Sequence, residues 1–290
     1  MESCAPTYPP IDFLSIGHIC QDVVPGGFAI GGAAAYTAAV AATLGCRAAI
    51  VTSASRQAEW SRELPGIAIH KSESRHSTIF ENIYTPSGRV QIVRAVADDL
   101  SAADVPLSWT RAPMVYLGPI ANEVDPALIH MFSNSIVGVG PQGWMRRWDE
   151  QGHVYQVEWE SAVEVLPLAA IAFLSTEDLA RPALLEQYRR LAHVLVLTDG
   201  ANGCTVYYQD EERVFLAPVV PLVDTTGAGD IFAASYLVRF YQTGGDLWEA
   251  AEFANLIASR SVSFCGLPAK MDAIRDLVMT GFGRPIERAE

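Results

Sequence analysis

The chain has 290 residues, of which 33 are acidic and 20 basic, for a formal net charge of -13. That balance argues against a nucleic-acid partner, which needs clustered Lys and Arg, but permits a nucleotide whose phosphates are held by backbone amides and a metal ion. Five scattered cysteines (Cys4, Cys20, Cys46, Cys204, Cys265), none in a C-x-x-C pair, exclude a disulfide framework or zinc site and point to reduced thiols.

Taken in chain order, the opening MESCAPTYPP has no basic stretch followed by an apolar one, so a cytoplasmic protein is expected. Phe13-Leu14-Ser15-Ile16 is the first of six short apolar runs, followed by Ala49 to Thr52, Met114 to Leu117, Ile136 to Val139, Ile171 to Leu174 and Val194 to Leu197. Near-continuous apolar strands separated by helical patterns predict a parallel sheet covered on both faces, with ligands beyond its carboxyl edge. Val23 to Cys46 carries no charge, but Pro25, five glycines and many alanines make it packing helix rather than membrane span.

Two segments break the alternation. Residues 77 to 96 are β-rich around Thr85-Pro86-Ser87-Gly88, a hairpin signal that reads equally as a lid or as a surface hairpin. A second hairpin is expected over Cys204 to Leu216, turning near Gln209-Asp210-Glu211. The expected fold is α/β, one domain over 1–290 built on a three-layer, mostly parallel sheet with a small β appendage.

Chemistry concentrates in Asp224-Thr225-Thr226-Gly227-Ala228-Gly229-Asp230, which runs into an apolar helix from Ile231. Small residues at 227 to 229 allow a tight turn with unobstructed N–H groups, and a helix N-terminus favours an anion. Asp230 then places a carboxylate beside that anion, suited to taking a proton from an attacking hydroxyl. An ordinary helix cap uses similar residues. Neither the P-loop G-x-x-x-x-G-K-[ST] nor the protein-kinase H-R-D and D-F-G set occurs, and the first strand lacks the dinucleotide G-x-G-x-x-G.

The D-T-T-G-A-G-D string resembles the C-terminal signature of the ribokinase-like (PfkB) carbohydrate kinases. Gly17 to Asp22, Gly31-Gly32-Ala33-Ala34-Ala35-Tyr36 and Thr198-Asp199-Gly200-Ala201-Asn202-Gly203 are similar to further family motifs in the family's order. The resemblance implies ATP and Mg²⁺, with Asp230 as base and Gly227, Ala228 and Gly229 as anion hole. It implies substrate contacts from Asp22, Gly31 and Gly32, and nucleotide contacts from Thr198, Gly200, Gly203 and Thr225, with Asn255 near the adenine. It also implies a β lid from roughly 18–31 and 75–97, whose exposed edge could pair in a homodimer.

Three departures stand out. Tyr36 replaces the family's Asn, which either alters the substrate contact or merely packs the helix start. Ser175-Thr176-Glu177-Asp178 replaces the metal-assisting N-x-x-E, leaving Asp178 and Glu177 as candidate Mg²⁺ residues. Ser235 stands where a glycine or alanine is usual. Gly140-Pro141-Gln142-Gly143-Trp144-Met145-Arg146-Arg147 is similar to the branch containing myo-inositol kinases, with Gln142 and Arg146 as donors to a polyol. A surface turn leading into a cationic helix start is the alternative. The expected activity is phosphorylation of a sugar or cyclic polyol. A nucleoside kinase and a catalytically silent sugar- or nucleotide-binding sensor remain the other readings.

Overall fold

The computed structural model describes residues 8–85 and 88–281; Cys4, Pro86 and Ser87 lie outside them. The first strand, β1 (Phe13–Ile16), leads directly into a hairpin, β2 (Cys20–Val24) and β3 (Gly27–Gly31), and then helix α1 (Ala33–Thr43). Strands β4 (Ala48–Ser55) and β5 (Ala68–Ser74) precede a second hairpin, β6 (Thr78–Thr85) and β7 (Gly88–Ala95). Next come β8 (Met114–Leu117), β9 (Ile136–Val139), the short pair β10 (Arg146–Trp148) and β11 (Val154–Gln156), and a single turn α2 (Ala162–Val165). The remainder is β12 (Ile171–Ser175), α3 (Leu184–Leu191), β13 (Val194–Thr198), β14 (Cys204–Tyr208), β15 (Glu211–Phe215), α4 (Ala228–Gln242), α5 (Leu247–Ser261) and α6 (Leu267–Met279).

Nine strands form one sheet in the order β15-β14-β13-β12-β9-β8-β1-β4-β5. From β13 to β5 every pairing is parallel, while β14 and β15 extend the sheet antiparallel as the expected second hairpin. All six expected core strands are present, and their apolar runs are buried because helices cover both faces. One layer packs Phe13, Ile50, Tyr116, Phe173 and Val196 against α1, α4, α5 and α6. The other gathers Leu14, Ile16, Val115, Trp109, Phe132 and Trp159. Among the described residues no helix is long and apolar enough to cross a membrane.

Chain order reverses at β1: β4 and β5 build outward on one side, β8, β9, β12 and β13 on the other. Such a switch point opens a crevice at the carboxyl ends of the strands.

A separate four-stranded sheet, β3-β2-β6-β7, stands beyond that edge. Its root is braced by buried His18, whose Nε2 lies 3.0 Å from the Asp98 carbonyl and Nδ1 2.7 Å from the Thr78 hydroxyl. The fully buried Glu123 carboxylate accepts the N–H groups of His18, Ile120 and Ala121 there. His18 is thus structural, as a lone histidine beside a buried strand should be.

Candidate active site

The 224–230 loop is shaped by its own side chains. Oδ1 of Asp224 accepts the Thr226 N–H (2.9 Å), and Oδ2 accepts the Gly266 N–H (3.0 Å) at the start of α6. Burial opposes ionisation of Asp224, but these amides, the Thr226 hydroxyl and the Lys270 ammonium outweigh it and hold the carboxyl below the usual range. Gly227 takes φ 73°, in the left-handed region that favours glycine, and caps α4. A Cβ at Gly227 would lie inside the Tyr36 ring, so the missing side chain is what lets the two meet.

The Ala228 N–H is engaged with the Thr225 carbonyl at 3.1 Å, and the Ile231 N–H with that of Gly227. The N–H groups of Gly227, Gly229 and Asp230 have no acceptor among the described residues. The donors left for an anion are therefore these three, which corrects the expected trio of Gly227, Ala228 and Gly229 by one position. Gly229 is exposed and a Cβ there would meet open space, so the loop faces solvent instead of the core.

Asp230 stands in the first turn of α4, half-buried and open to the cleft. Burial pushes its carboxyl up to about 7; the Arg146 guanidinium pulls it down and the Asp178 carboxylate pushes it up. A base with that value is half-ionised at neutral pH and well matched to proton abstraction. Asp230 as base therefore predicts a kcat/KM that climbs tenfold per pH unit below about 7 and levels off above it. Replacing Arg146 by Met moves that limb to higher pH, and Asp178→Asn moves it lower; a profile indifferent to both substitutions would refute the assignment.

The sequence-expected groups converge from separate strand ends. Asp22 lies on β2, just past β1, and a Cβ on Gly31 would collide with its carboxylate and with the Cys20 thiol. Tyr36 is only 2% exposed; burial, then the carboxylates of Asp224, Asp22 and Asp230, raise its phenol well above the usual range. Tyr36 thus packs against Gly227 at the loop and borders three carboxylates. Gly32 precedes α1 as its cap.

Gln142 follows β9 and donates from Nε2 to Oδ1 of Asp178 at 3.1 Å, which links the expected polyol donor to the expected metal residue. Arg146 begins the short strand β10, not a helix, so the alternative of a cationic helix start within Gly140 to Arg147 fails. Trp144 is buried and stacks on Trp159 with centroids 5.6 Å apart, a packing role. Glu177 is exposed, with its backbone N–H on the Ser175 hydroxyl. Among the described residues no group of three or more His, Cys, Asp or Glu could hold a metal ion. Asp178 nonetheless offers the hard oxygen that magnesium prefers, and such an ion can be held by one or two carboxylates with phosphate and water completing its shell.

On the donor side, the Thr198 hydroxyl bonds the Leu174 carbonyl (3.2 Å), while Gly200 to Gly203 form a tight turn closed by Asp199 N–H on the Gly203 carbonyl (2.8 Å). Asn255 is 6% exposed and its amide donates to the Phe215 carbonyl (3.0 Å) and toward the Cys204 thiol. These bonds tie α5 to β14 and to the end of β15.

Two residues near the base escaped the sequence reading. Tyr116, in the middle of β8, places its hydroxyl where a Cβ on Gly140 would be, and its phenol is raised by burial, then by Asp230 and Asp178. Lys270 sits behind the loop. Tyr116 left no signal in an all-apolar run, whereas Lys270 occupies a core position in the stripe Leu267, Lys270, Met271, Ile274.

Comparison with known proteins agrees with this geometry. Residues 162–270 match the pfkB family carbohydrate kinases. An inositol 3-kinase from Oryza sativa subsp. japonica is 26% identical over 95% of this chain and 75% of its own. A pyrophosphate-dependent kinase of the ribokinase family, solved with a pyrophosphate analog and myo-inositol, superposes with a TM-score of 0.75 at 22% identity, covering 90% of this chain and 98% of that one. An uncharacterized sugar kinase from Pyrococcus horikoshii in complex with ATP gives 0.71 at 21% identity, covering 94% and 99%. With the loop geometry, the whole-chain fold and the matched signature in agreement, the chain has the ribokinase fold, is similar over residues 162–270 to the pfkB family carbohydrate kinases, and is a phosphotransferase.

Proposed function

We propose that the chain moves the terminal phosphate of ATP onto a hydroxyl of a cyclic polyol or sugar, with Asp230 as general base. The observation that carries this is the juxtaposition of the Asp230 carboxyl, poised at about 7, with the open amides of Gly227, Gly229 and Asp230 itself. The amides offset the charge on the migrating phosphoryl group as the carboxylate deprotonates the alcohol. Magnesium, when bound, neutralises phosphate charge; Asp178 and Glu177 are the residues that would hold its water shell.

Asp22, Tyr36 and Arg146 surround the acceptor position with one carboxylate, one phenol and one guanidinium, a set suited to several neighbouring hydroxyls. The likeness to an inositol 3-kinase favours myo-inositol among acceptors. A nucleoside triphosphate is preferred to pyrophosphate because the segment leading into the loop exposes Leu216, whose backbone lies against Gly203, and after it Val219, Leu222 and Val223. Apolar side chains held in water suit the flat face of a base and give pyrophosphate nothing.

The test is a matrix of acceptors (myo-inositol, ribose, fructose, cytidine) against ATP and pyrophosphate. Turnover of myo-inositol with ATP supports the full reading, and turnover of cytidine alone makes the protein a nucleoside kinase. Ligand binding with no turnover in any combination makes it a sensor.

The four-stranded sheet is proposed as the lid over the acceptor. Its register puts Val23, Phe28, Ile83 and Val90 on one face, all exposed. A second copy covering that face would form a homodimer through the lids, so Phe28→Glu is expected to convert a dimer to a monomer in sedimentation velocity. A wild-type chain that sediments as a monomer removes this part of the proposal.

A further inference from the structure

Lys270 is the one buried lysine or arginine among the described residues, with no exposed surface at all. It lies at the fourth position of α6, one turn in from Gly266. Its ammonium donates to the carbonyl oxygens of Asp224 (2.6 Å) and Thr226 (2.8 Å) and lies 3.3 Å from Oδ2 of Asp224. Three oxygens of one loop thus surround the three ammonium hydrogens. Burying a cation costs several kcal/mol unless it is fully paired. Tying α6 to the loop would need no charge, since the Gly266 N–H already bonds Asp224.

The charge has a more specific use. In a trans peptide the C=O and the following N–H point in opposite directions, and the described residues contain no cis bond. The Thr226 carbonyl and the Gly227 N–H belong to one such unit. Drawing that carbonyl onto the Lys270 ammonium turns the Gly227 N–H the other way, to the side where Asp230 and the open amides lie. A cation on the carbonyl side also polarises the unit and makes its N–H a stronger donor. The same holds for the Asp224 carbonyl and the Thr225 N–H.

We propose that Lys270 is a positioning residue for phosphoryl transfer, an ammonium behind the anion loop that aims and polarises the peptide units meeting the migrating phosphoryl oxygens. The proposal rests on the reading of residues 227–230 given above. It predicts an effect on the transition state, where phosphoryl charge must be held, more than on acceptor binding.

The experiment uses the full chain with Lys270→Met, which keeps length and loses charge, and Lys270→Ala, which leaves a cavity. Thermal unfolding establishes which variants fold. In the folded Met variant kcat is expected to fall roughly 10–100-fold with the acceptor KM within about threefold of wild type, somewhat less than the loss from deleting a donor outright. Methylammonium is expected to restore part of kcat to Lys270→Ala and nothing to Lys270→Met, where the thioether fills the space. A folded Met variant with wild-type kcat overturns the proposal, as does failure of both variants to fold, which makes the role structural. Should the wild type itself turn over no acceptor, pyrophosphate affinity by calorimetry decides separately. Weaker binding to Lys270→Met upholds the positioning role and equal binding overturns it.

Discussion

Asp230→Asn is expected to lose about 10²–10⁴-fold in kcat while binding ATP as tightly as the wild type, because removing a general base costs that much and leaves the amide donors in place. The same substitution should make the protein more stable at alkaline pH. The folded carboxyl titrates at about 7 and its unfolded counterpart near 3.8, so the folded state binds the proton more tightly. Stability therefore falls as pH rises from about 4 to about 7, and the whole cost is present above 7. Asn carries no such cost, so its gain at pH 8 is roughly 1–3 kcal/mol and vanishes below pH 4. Kinetics paired with unfolding at two pH values checks both halves. Near-normal kcat in the variant would remove Asp230 from the mechanism, and equal stability at pH 8 would mean that its carboxyl is not desolvated.

Gly227→Ala is expected to abolish activity by a different route. At φ 73° an alanine is strained by about 1–2 kcal/mol, and its Cβ must displace the Tyr36 ring. Forcing a methyl into so close a contact adds about 1–3 kcal/mol. The loop would move and carry the Gly227 and Gly229 amides with it. Gly229→Ala makes the control: its added carbon meets open space, so unfolding should be unchanged while donor affinity drops. If Gly227→Ala unfolds like wild type and retains turnover, the contact between Tyr36 and the loop has no mechanistic weight.

What the sequence disclosed and what it hid follow from range. The six core strands were legible because full burial on both faces leaves unbroken apolar runs, and the Asp224–Asp230 string was legible because its parts are contiguous. The helix start offered as the alternative at Arg146 failed because three residues opposite Val154–Gln156 form a strand only through that pairing. Asn255 was named only through the family resemblance, and its partners Phe215 and Cys204, 40 and 51 residues away, were not legible. Tyr116, Lys270 and the Gln142–Asp178 bond are likewise products of tertiary placement. Lys270 alone left a trace, a cation on the buried stripe of α6.

Asp22 belongs to β2, and β2 is itself an inner strand of the sheet that overhangs the crevice, paired on both sides. Its peptide ladder joins it rigidly to β6, while His18 clamps Thr78 to Asp98 at the root. On the proposed reading, an acceptor held by Asp22 would load the whole four-stranded sheet through that ladder and not one side chain alone, so recognition and enclosure would be one mechanical event.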